Sequence, residues 1–473
     1  MEFFQRVSQQ LFELDNTDTQ HDLVILGKTF AAVDKSGSQQ EHAPVTGVFG
    51  QIFAKDRGWN PQFLSCVQKL LHFTYRTKFE PIPKDPAGPS PMNFGTLFKD
   101  NPLNSIESAI NHPDCFCSDI GWGCMIRTGQ ALLGNALQRL GDEANDGKDP
   151  DNAHSHGAKM IGWFEDRYSA PFSLHRFVKE GAKLSRKPPG EWFGPSATSR
   201  SIQSLVLGFP ECGISKCVIS TDSADVYDED MEPIFTENCD AVVLLLLGVK
   251  LGLDKVNARY WDDIRQILAS KQSVGIAGGR PSSSLYFFGY QDEYLFYLDP
   301  HTSQLDLASL DSPQEKFNSV HSQRFNKIHF SELDPSMLIG VLLQGRADWD
   351  TWKAGVSQSK IIHVLPSRPQ NYFFEDDGVV SESEEENEQL GAQTSTLGGE
   401  YVDVVAPLDQ PADSTARDDD FQDVQCKNQN ILVVGDEDGT TPDTEVERVL
   451  VGEETVPLVM PPEIQKPAAA SVL

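Results

Sequence analysis

The sequence around one cysteine decides the fold, and it reads Asp119-Ile120-Gly121-Trp122-Gly123-Cys124-Met125-Ile126-Arg127-Thr128-Gly129-Gln130. The two glycines before Cys124 permit a tight turn that side chains would obstruct. After Cys124 the larger apolar residues recur at helical period, at Ile126, Leu133, Leu137 and Leu140. The stretch therefore predicts a turn that leads into a helix beginning near Cys124. Gly141 is expected to cap the far end of that helix.

A cysteine at a helix N-terminus lies at the positive end of the helix dipole, which favours the thiolate over the thiol. Because the thiolate is the nucleophile in cysteine catalysis, Cys124 is a candidate nucleophile. The alternative is that Cys124 is a small buried apolar residue, the usual role of an intracellular cysteine. A partner base elsewhere in the sequence has to decide between the two.

Among the eleven histidines, His301 stands out because it follows the second strand of a predicted hairpin, in Tyr297-Leu298-Asp299-Pro300-His301-Thr302. Residues i and i+2 of an extended segment point to the same side, so Asp299 and His301 are expected to lie side by side. A carboxylate that accepts from the imidazole fixes its tautomer and stabilises the imidazolium. The alternative is that Asp-Pro-His is only the turn that ends a strand.

Other parts of the chain, to about residue 368, alternate between predicted strands and helices. The continuous apolar run Ala241–Val249 suits a buried central strand. A further strand is predicted over Leu23–Phe30, and the hairpin strands over Leu285–Tyr290 and Tyr294–Leu298. Helices are predicted over Pro61–Tyr75 with Asn60 as its N-cap, Phe172–Leu184, Thr198–Leu207 and Tyr260–Ala269.

The net charge of −31 is concentrated at the C-terminal end. Residues 371–473 carry 25 acidic and 4 basic residues, a net charge of −21. Such a composition predicts a disordered acidic tail over residues 369–473, and residues 1–20 are expected to form a flexible N-terminal segment. A nucleic-acid partner is not expected, because phosphate binding needs a basic surface.

The sequence predicts a protein of the cytoplasm. Eight cysteines in 473 residues is ordinary usage for a reducing compartment. The start, Met1-Glu2-Phe3-Phe4, lacks the basic and apolar regions of a signal peptide, and the longest apolar run, Ala241–Val249, is too short to span a bilayer.

Two segments, Gly121–Arg127 and Tyr297–Thr302, together resemble the motifs of the autophagin family. These are autophagy-related cysteine proteases that process the ubiquitin-like autophagy modifier. Three more segments match in order and approximate spacing, at Phe73–Arg76, Glu191–Pro195 and Gly278–Pro281. The resemblance covers roughly residues 20–365, and the long insertion before the cysteine is similar to the fungal branch.

The resemblance implies an α+β, papain-like cysteine protease fold over residues 21–368, with a small helical subdomain inserted at about residues 165–235. Cys124 would be the nucleophile, His301 the general base and acid, and Asp299 the residue that orients the imidazole. Tyr75 would donate its hydroxyl to the oxyanion hole, beside the backbone N–H of Cys124, and a phenol is a competent donor for that purpose.

The same resemblance implies that Trp192, Arg280 and Pro281 line the substrate groove, and that a narrow groove admits a chain ending in glycine. The expected activity is cleavage of the modifier after its C-terminal glycine, both to mature the precursor and to release it from phosphatidylethanolamine. The expected partner is the modifier in both forms, with membranes reached only through the lipidated substrate. No cofactor is expected. Recruitment to autophagosome-forming membranes is expected, and the nucleus is an open second location.

The acidic tail contains a candidate docking motif for the modifier. Phe421 and Val424 are three residues apart and follow Asp418, Asp419 and Asp420. Extended peptides of this kind add to a sheet edge and place two side chains in pockets. Tyr401–Val404 is a weaker candidate, and the alternative is a solvated acidic tail whose phenylalanine is incidental.

There are three rival interpretations, and the main one, a metal site, belongs to another class. A structural zinc site is suggested by His112, Cys115, Cys117 and Cys124, and by the pair His154 and His156. Their spacings match no pair of Cys-x2-Cys elements, so no metal is expected. The other rivals are a thiol hydrolase acting on another ubiquitin-like protein and a non-catalytic relative that binds the modifier.

Overall fold

A computed structural model of the protein describes residues 16–32, 58–91, 111–144, 157–221, 223–280, 283–321 and 324–369. The predictions for the acidic tail and for most of the N-terminal segment lie outside these residues. Within the described ranges, no helix combines the length and the apolar character that crossing a bilayer requires.

The described strands, in chain order, are β1 (Leu23–Ile25), β2 (Lys28–Phe30), β3 (Arg76–Pro83), β4 (Cys115–Ser118), β5 (Lys216–Ser220), β6 (Asp225–Tyr227), β7 (Val242–Lys250), β8 (Ser273–Arg280), β9 (Ser283–Gln291), β10 (Tyr294–Leu298), β11 (Gln304–Leu305), β12 (Asn326–His329), β13 (Ser336–Gln344) and β14 (His363–Leu365). The large sheet has the order β12-β10-β9-β8-β13-β7-β5, and the β1–β2 hairpin joins it along β9. Smaller sheets are β11-β3-β4 and β14-β6.

Strand β7 lies deep in the large sheet, as the apolar run at Ala241–Val249 predicts. It pairs antiparallel with β13 along its whole length and parallel with β5. Successive side chains of a strand point to opposite faces. Leu244 and Leu246 accordingly belong to one apolar core, whereas Val243 and Leu245 belong to the other. The sheet therefore separates two buried layers.

The described helices are α1 (Pro61–Gln68), α2 (Cys124–Ala144), α3 (Leu174–Ser185), α4 (Pro195–Leu207), α5 (Asp228–Glu237), α6 (Trp261–Ala269), α7 (Pro313–Ser319) and α8 (Arg346–Gly355). Residues 157–162 are also helical. Helix α2 packs on β8 and β9 and contributes Ile126, Leu132 and Leu133 to the first core. The helix that begins at the cysteine therefore lies directly on the sheet that carries the Asp-Pro-His segment.

The predicted end of α2 at Gly141 is wrong, because the helix continues to Ala144. One glycine inside a helix costs only about 1 kcal/mol relative to alanine, which tertiary contacts readily offset. One such contact is on the last turn, where Gln344 Nε2 donates to Glu143 Oε2 at 2.5 Å. This bond attaches the last described turn of α2 to the end of β13.

Two other predicted elements are shorter than expected. Asn60 caps α1 and accepts from the backbone N–H of Gln62 at 2.9 Å, as predicted, but α1 ends at Gln68 instead of Tyr75. After α1 the chain continues as an extended segment, Leu71–Arg76, that leads into β3. The single strand predicted over Leu23–Phe30 is a hairpin, because the chain turns at Leu26 and Gly27.

The segment at about residues 165–235 holds α3 and α4, which pack against each other. It is not helical throughout, since β5 joins the large sheet beside β7. Both helices also share the first core with α2. The boundaries of an inserted subdomain stay a prediction.

Candidate active site

Cys124 begins helix α2, as the sequence predicts, and it is buried. Gly121 in the preceding turn has φ +87°, a backbone region that favours glycine. Gly123 is required for a different reason, because a Cβ on it would lie 2.3 Å from Oδ2 of Asp119. The Gly123 N–H donates to the Asp119 carbonyl at 2.9 Å. This turn fixes where the thiol of Cys124 emerges.

Asp299 and His301 lie side by side immediately after β10, as the extended-segment argument predicts. The distance from His301 Nδ1 to Asp299 Oδ1 is 2.5 Å, and the His301 backbone N–H donates to the same oxygen at 3.0 Å. An ionised carboxylate only accepts, so Nδ1 carries the proton of this bond. Nε2 is therefore the nitrogen that remains available to the Cys124 thiol.

The electrostatics of His301 favour the imidazolium. Burial lowers the pKa of His301, but hydrogen bonds to Asp299 and Cys124 outweigh that effect and raise it to about 9. Burial also disfavours the charge on Asp299, yet the bonds from His301 hold the pKa of this carboxyl below its ordinary value. An imidazolium between a carboxylate and a thiolate is the arrangement that a cysteine nucleophile requires.

Tyr75 completes the cluster around the thiol. Its ring stands edge-on to the His301 ring with centroids 5.3 Å apart, and it is buried together with Ile120 and Cys124. Burial raises the pKa of Tyr75, and a hydrogen bond with Cys124 raises it further. The phenol is therefore a neutral O–H donor beside the sulfur.

The structure also places two of the three predicted groove residues. The indole N–H of Trp192 donates to the carbonyl of Gly121 at 2.8 Å, so the ring lies against the turn before Cys124 and stays 42% exposed. Arg280 ends β8 opposite Ser283, whose Oγ is 3.4 Å from His301 Nε2. Pro281 and the tail residues Phe421 and Val424 lie outside the described residues.

A buried ionic network behind the turn was not predicted from the sequence. Arg127 donates from Nε to Asp119 Oδ2 at 2.7 Å and from Nη1 to Asp166 Oδ1 at 2.9 Å. The other Asp119 oxygen accepts from the backbone N–H of Arg76 at 2.6 Å. Asp119 and Arg127 flank Cys124 in the sequence, but nothing there reveals Asp166 as a partner. The network holds the turn to Arg76, the residue that follows Tyr75.

His72 is a second residue that sequence reasoning missed. Its Nε2 lies 2.8 Å from the backbone carbonyl of Asp299. Because a carbonyl only accepts, Nε2 carries the proton. Burial lowers the pKa of His72 to about 4, so the ring is neutral at pH 7.

The suspected zinc ligands do not form a metal-binding group where they are described. Among the described ranges, the three ligand atoms that come within 4.8 Å of one another belong to Asp18, His21 and Asp292, far along the chain from Cys115 and Cys117. His154 and His156 lie outside the described residues.

A comparison with protein families identifies residues 60–355 as a Peptidase C54 catalytic domain. This range holds the Cys124 helix, the Asp299–His301 pair and Tyr75. The chain belongs to the ATG4 family of cysteine proteases. Membership in this family confirms the papain-like fold and the cysteine-type peptidase activity that the motifs predict.

Curated relatives match almost the whole chain. The probable cysteine protease ATG4 of Eremothecium gossypii is 52% identical over 465 residues, which cover 97% of this chain and 89% of the relative. The cysteine protease ATG4 of Saccharomyces cerevisiae is 44% identical over 485 residues, which cover 98% of this chain and 97% of the relative. The cysteine protease ATG4 of Kluyveromyces marxianus is 44% identical over 458 residues, which cover 96% of this chain and 99% of the relative. The chain is therefore a fungal-type ATG4 protease.

Proposed function

We propose that this ATG4-family protease cleaves the ubiquitin-like autophagy modifier after its C-terminal glycine and so matures the precursor. The observation that carries the proposal is that the Asp299–His301 pair lies at the buried cluster of Tyr75 and Cys124, where the Tyr75 ring stands against the His301 ring. In this proposal Cys124 is the nucleophile, His301 the acid and base, Asp299 the orienting carboxylate and Tyr75 an oxyanion donor.

The first half of the reaction forms a thioester. The Cys124 thiolate attacks the glycine carbonyl carbon, and the resulting oxyanion accepts from the Tyr75 hydroxyl and the Cys124 backbone N–H. His301 then gives its Nε2 proton to the leaving amine as the carbon–nitrogen bond breaks. Asp299 holds the imidazole in the tautomer and orientation for this transfer.

The second half restores the enzyme. Neutral His301 takes a proton from a water molecule, which attacks the thioester carbonyl. The carbon–sulfur bond breaks, the modifier leaves with a glycine carboxyl group that gives its proton to the solvent, and the thiolate pairs again with the imidazolium. His301 therefore serves as the acid in the first half of the reaction and as the base in the second.

The position of Trp192 supports a preference for glycine before the cut bond. The indole is tied to Gly121, three residues before the nucleophile. In this proposal the ring covers the groove that leads to Cys124, as the resemblance to the family implies. A backbone without side chains needs the least space there, so the lid favours a chain ending in glycine.

The proposal extends to release of the modifier from phosphatidylethanolamine. That bond is also an amide after the C-terminal glycine, so the same site can cut it. The enzyme would act in the cytoplasm, reach autophagosome-forming membranes through its lipidated substrate, and have the nucleus as a second location. Phe421 and Val424 would dock on the modifier and raise its local concentration.

The test is cleavage of a purified modifier precursor and of lipidated modifier on liposomes by wild type and Cys124→Ala. Wild type should release the C-terminal fragment and the lipid, and the variant should do neither while still binding. Cleavage of ubiquitin instead of this modifier would favour the thiol hydrolase alternative. Binding without any cleavage by wild type would favour the non-catalytic alternative.

The docking motif has a separate test. Phe421→Ala with Val424→Ala should weaken binding of full-length modifier and slow delipidation more than hydrolysis of a short glycine-ending peptide. Unchanged affinity in a titration of the double variant would remove the motif from the proposal.

A further inference from the structure

We propose that the extended segment Leu71–Arg76, which we call the strap, sets the spacing between the Cys124 helix and the Asp299–His301 segment. Asn135 on the helix side and His72 on the acid–base side are its positioning residues. The inference rests on the roles of Cys124 and His301 proposed above. It adds two residues that touch neither substrate nor reacting atoms.

On the helix side, Asn135 fastens the strap to α2 with both ends of its amide. Its Oδ1 accepts from the Leu71 N–H at 3.0 Å, and its Nδ2 donates to the Leu71 carbonyl at 3.0 Å. The same Nδ2 also donates to the Ala131 carbonyl of α2 at 2.8 Å. The amide is buried, so each lost bond would leave a buried polar group unpaired.

Packing brings the strap close to the same helix turn. A Cβ on Gly134 would lie 3.0 Å from Leu71 Cδ1 and 3.1 Å from Phe73 Cε2. Leu71 and Phe73 are 1% exposed, so both are buried against the helix. The contact therefore fixes the strap on α2 by shape as well as by hydrogen bonds.

On the acid–base side, the strap holds the backbone of the Asp-Pro-His segment. The His72 ring donates from Nε2 to the Asp299 carbonyl at 2.8 Å. The Tyr75 N–H donates to the Pro300 carbonyl at 2.9 Å. These two bonds fix the carbonyls of Asp299 and Pro300, the two consecutive peptide groups that connect the orienting carboxylate to the imidazole.

The charge state of His72 suits this purpose. Burial is the largest influence on the pKa of His72 and lowers it; the nearby charges of Asp299 and Arg76 have smaller effects. The ring stays neutral, with its pKa lowered to about 4. A neutral donor holds the carbonyl without placing a positive charge beside His301, which would work against the imidazolium.

The strap thus touches both halves of the site. It bonds to α2 through Asn135, to the turn before Cys124 through Arg76 and Asp119, and to the acid–base segment through His72 and Tyr75. A misplacement of about 1 Å between reacting groups costs on the order of a hundredfold in rate. Loosening one end of the strap should therefore lower turnover and uncouple His301 from the thiol.

The experiment measures the rate at which iodoacetamide alkylates Cys124 between pH 5 and 10, followed by kcat and KM for a glycine-ending peptide. The variants are His72→Phe, which keeps a ring but removes the donor, and His72→Gln, whose Nε2 reaches the position of the imidazole Nε2. His321→Phe is the matched control. His321 also pairs its ring with a carbonyl, that of Phe317 at 2.8 Å, and its backbone pairs with Leu71 of the strap.

We expect His72→Phe to lower kcat by about tenfold to a hundredfold with little change in KM. The rising limb of its alkylation profile should lie at higher pH than that of wild type, because a displaced Asp299 supports the imidazolium less and the imidazolium then supports the thiolate less. His72→Gln should restore both properties to within about threefold, and His321→Phe should leave the profile in place. Asn135→Leu should repeat the His72→Phe result from the other end.

A folded His72→Phe enzyme with wild-type kcat and alkylation profile would overturn the proposal. If this variant fails to fold, His72→Asn replaces it, because the shorter amide imitates Nδ1 and leaves the carbonyl without its donor. A wild-type alkylation profile in His72→Asn would likewise overturn the proposal. Alkylation needs no modifier, so failure of the proposed function would be visible separately, as wild type that reacts with iodoacetamide but cleaves no precursor.

Discussion

The indole N–H of Trp192 donates to the carbonyl of Gly121 at 2.8 Å, which ties an exposed ring to the turn that presents Cys124. One hydrogen bond of this kind contributes only about 0.5–1.5 kcal/mol net. The lid proposed for Trp192 is therefore held to this turn weakly enough for a substrate to displace it.

Trp192→Phe should open this lid, because the ring remains but the donor is lost. We expect alkylation of Cys124 by a bulky maleimide to accelerate by about twofold to tenfold, the equivalent of one hydrogen bond. Iodoacetamide, which is much smaller, should respond less. Equal rates for wild type and variant with the bulky reagent would mean that Trp192 does not restrict access.

Cys124 should be the most reactive of the eight cysteines toward iodoacetamide at pH 7. It lies in a buried cluster with Tyr75, whose ring stands against that of His301, whereas burial raises the pKa of Cys212 and Cys217 and keeps both as thiols. Peptide mapping after brief labelling measures the order of reaction. Cys124→Ser is the control that identifies the fast-reacting peptide, and uniform labelling of all sites would contradict the assignment.

Asp299→Asn should move the alkaline limb of kcat/KM to lower pH. The pKa of His301 is raised from 6.5 to about 9, in part by this carboxylate, so the imidazolium of wild type persists until about pH 9. Without the charge on residue 299, deprotonation and loss of activity should come earlier. An unchanged limb would show that another group governs it.

The same shift makes a statement about stability. A histidine whose pKa is higher in the folded protein adds stability that is complete below pH 6.5 and is lost as the pH rises through about 9. Asp299→Asn should therefore lose more stability, relative to wild type, at pH 6 than at pH 9.5. Chemical denaturation at the two pH values measures the difference.

Tyr75→Phe tests the oxyanion assignment. Removing one donor from an oxyanion hole costs on the order of a hundredfold to a thousandfold in kcat, since the hydrogen bond is strongest in the transition state. Affinity for the substrate should hardly change, because the ring still packs on His301. A turnover close to wild type would reduce Tyr75 to a packing residue.

Sequence patterns predict the local parts of this protein well. The start of α2 at Cys124, the Asn60 cap and the β9–β10 hairpin all follow from periodicity and turn residues within short windows. The Asp299–His301 contact follows from the same logic, because i and i+2 of an extended chain share a side. These features depend on neighbours in sequence.

What the sequence does not predict depends on distant partners. The salt bridge from Arg127 to Asp166 and the bond from His72 to Asp299 join residues from separate elements. Helix α1 also stops at Gln68, although its apolar pattern runs on to Tyr75, because Leu71–Arg76 gains more from pairing with other elements than from continuing a helix. Periodicity carries no information about those partners.

Gly123→Ala tests a local turn and a long-range ion pair together, because Gly123 belongs to the turn before Cys124 and lies against Asp119. A Cβ at this position would lie 2.3 Å from Asp119 Oδ2, the oxygen that pairs with Arg127. The carboxylate must move, and disturbing a buried ion pair by removing one partner costs about 3–5 kcal/mol. We expect a loss of stability approaching that size and at least a tenfold loss of kcat, since the turn no longer presents Cys124 correctly.

The matched control for that variant is Gly355→Ala, at the end of α8. Nothing lies within 4 Å of a Cβ placed there, and alanine is favoured over glycine in a helix by roughly 0.5–1 kcal/mol. This variant should be as stable as wild type or slightly more stable, with the same kcat. If Gly123→Ala matched it in both thermal unfolding and turnover, the tight contact with Asp119 would not be what positions the nucleophile.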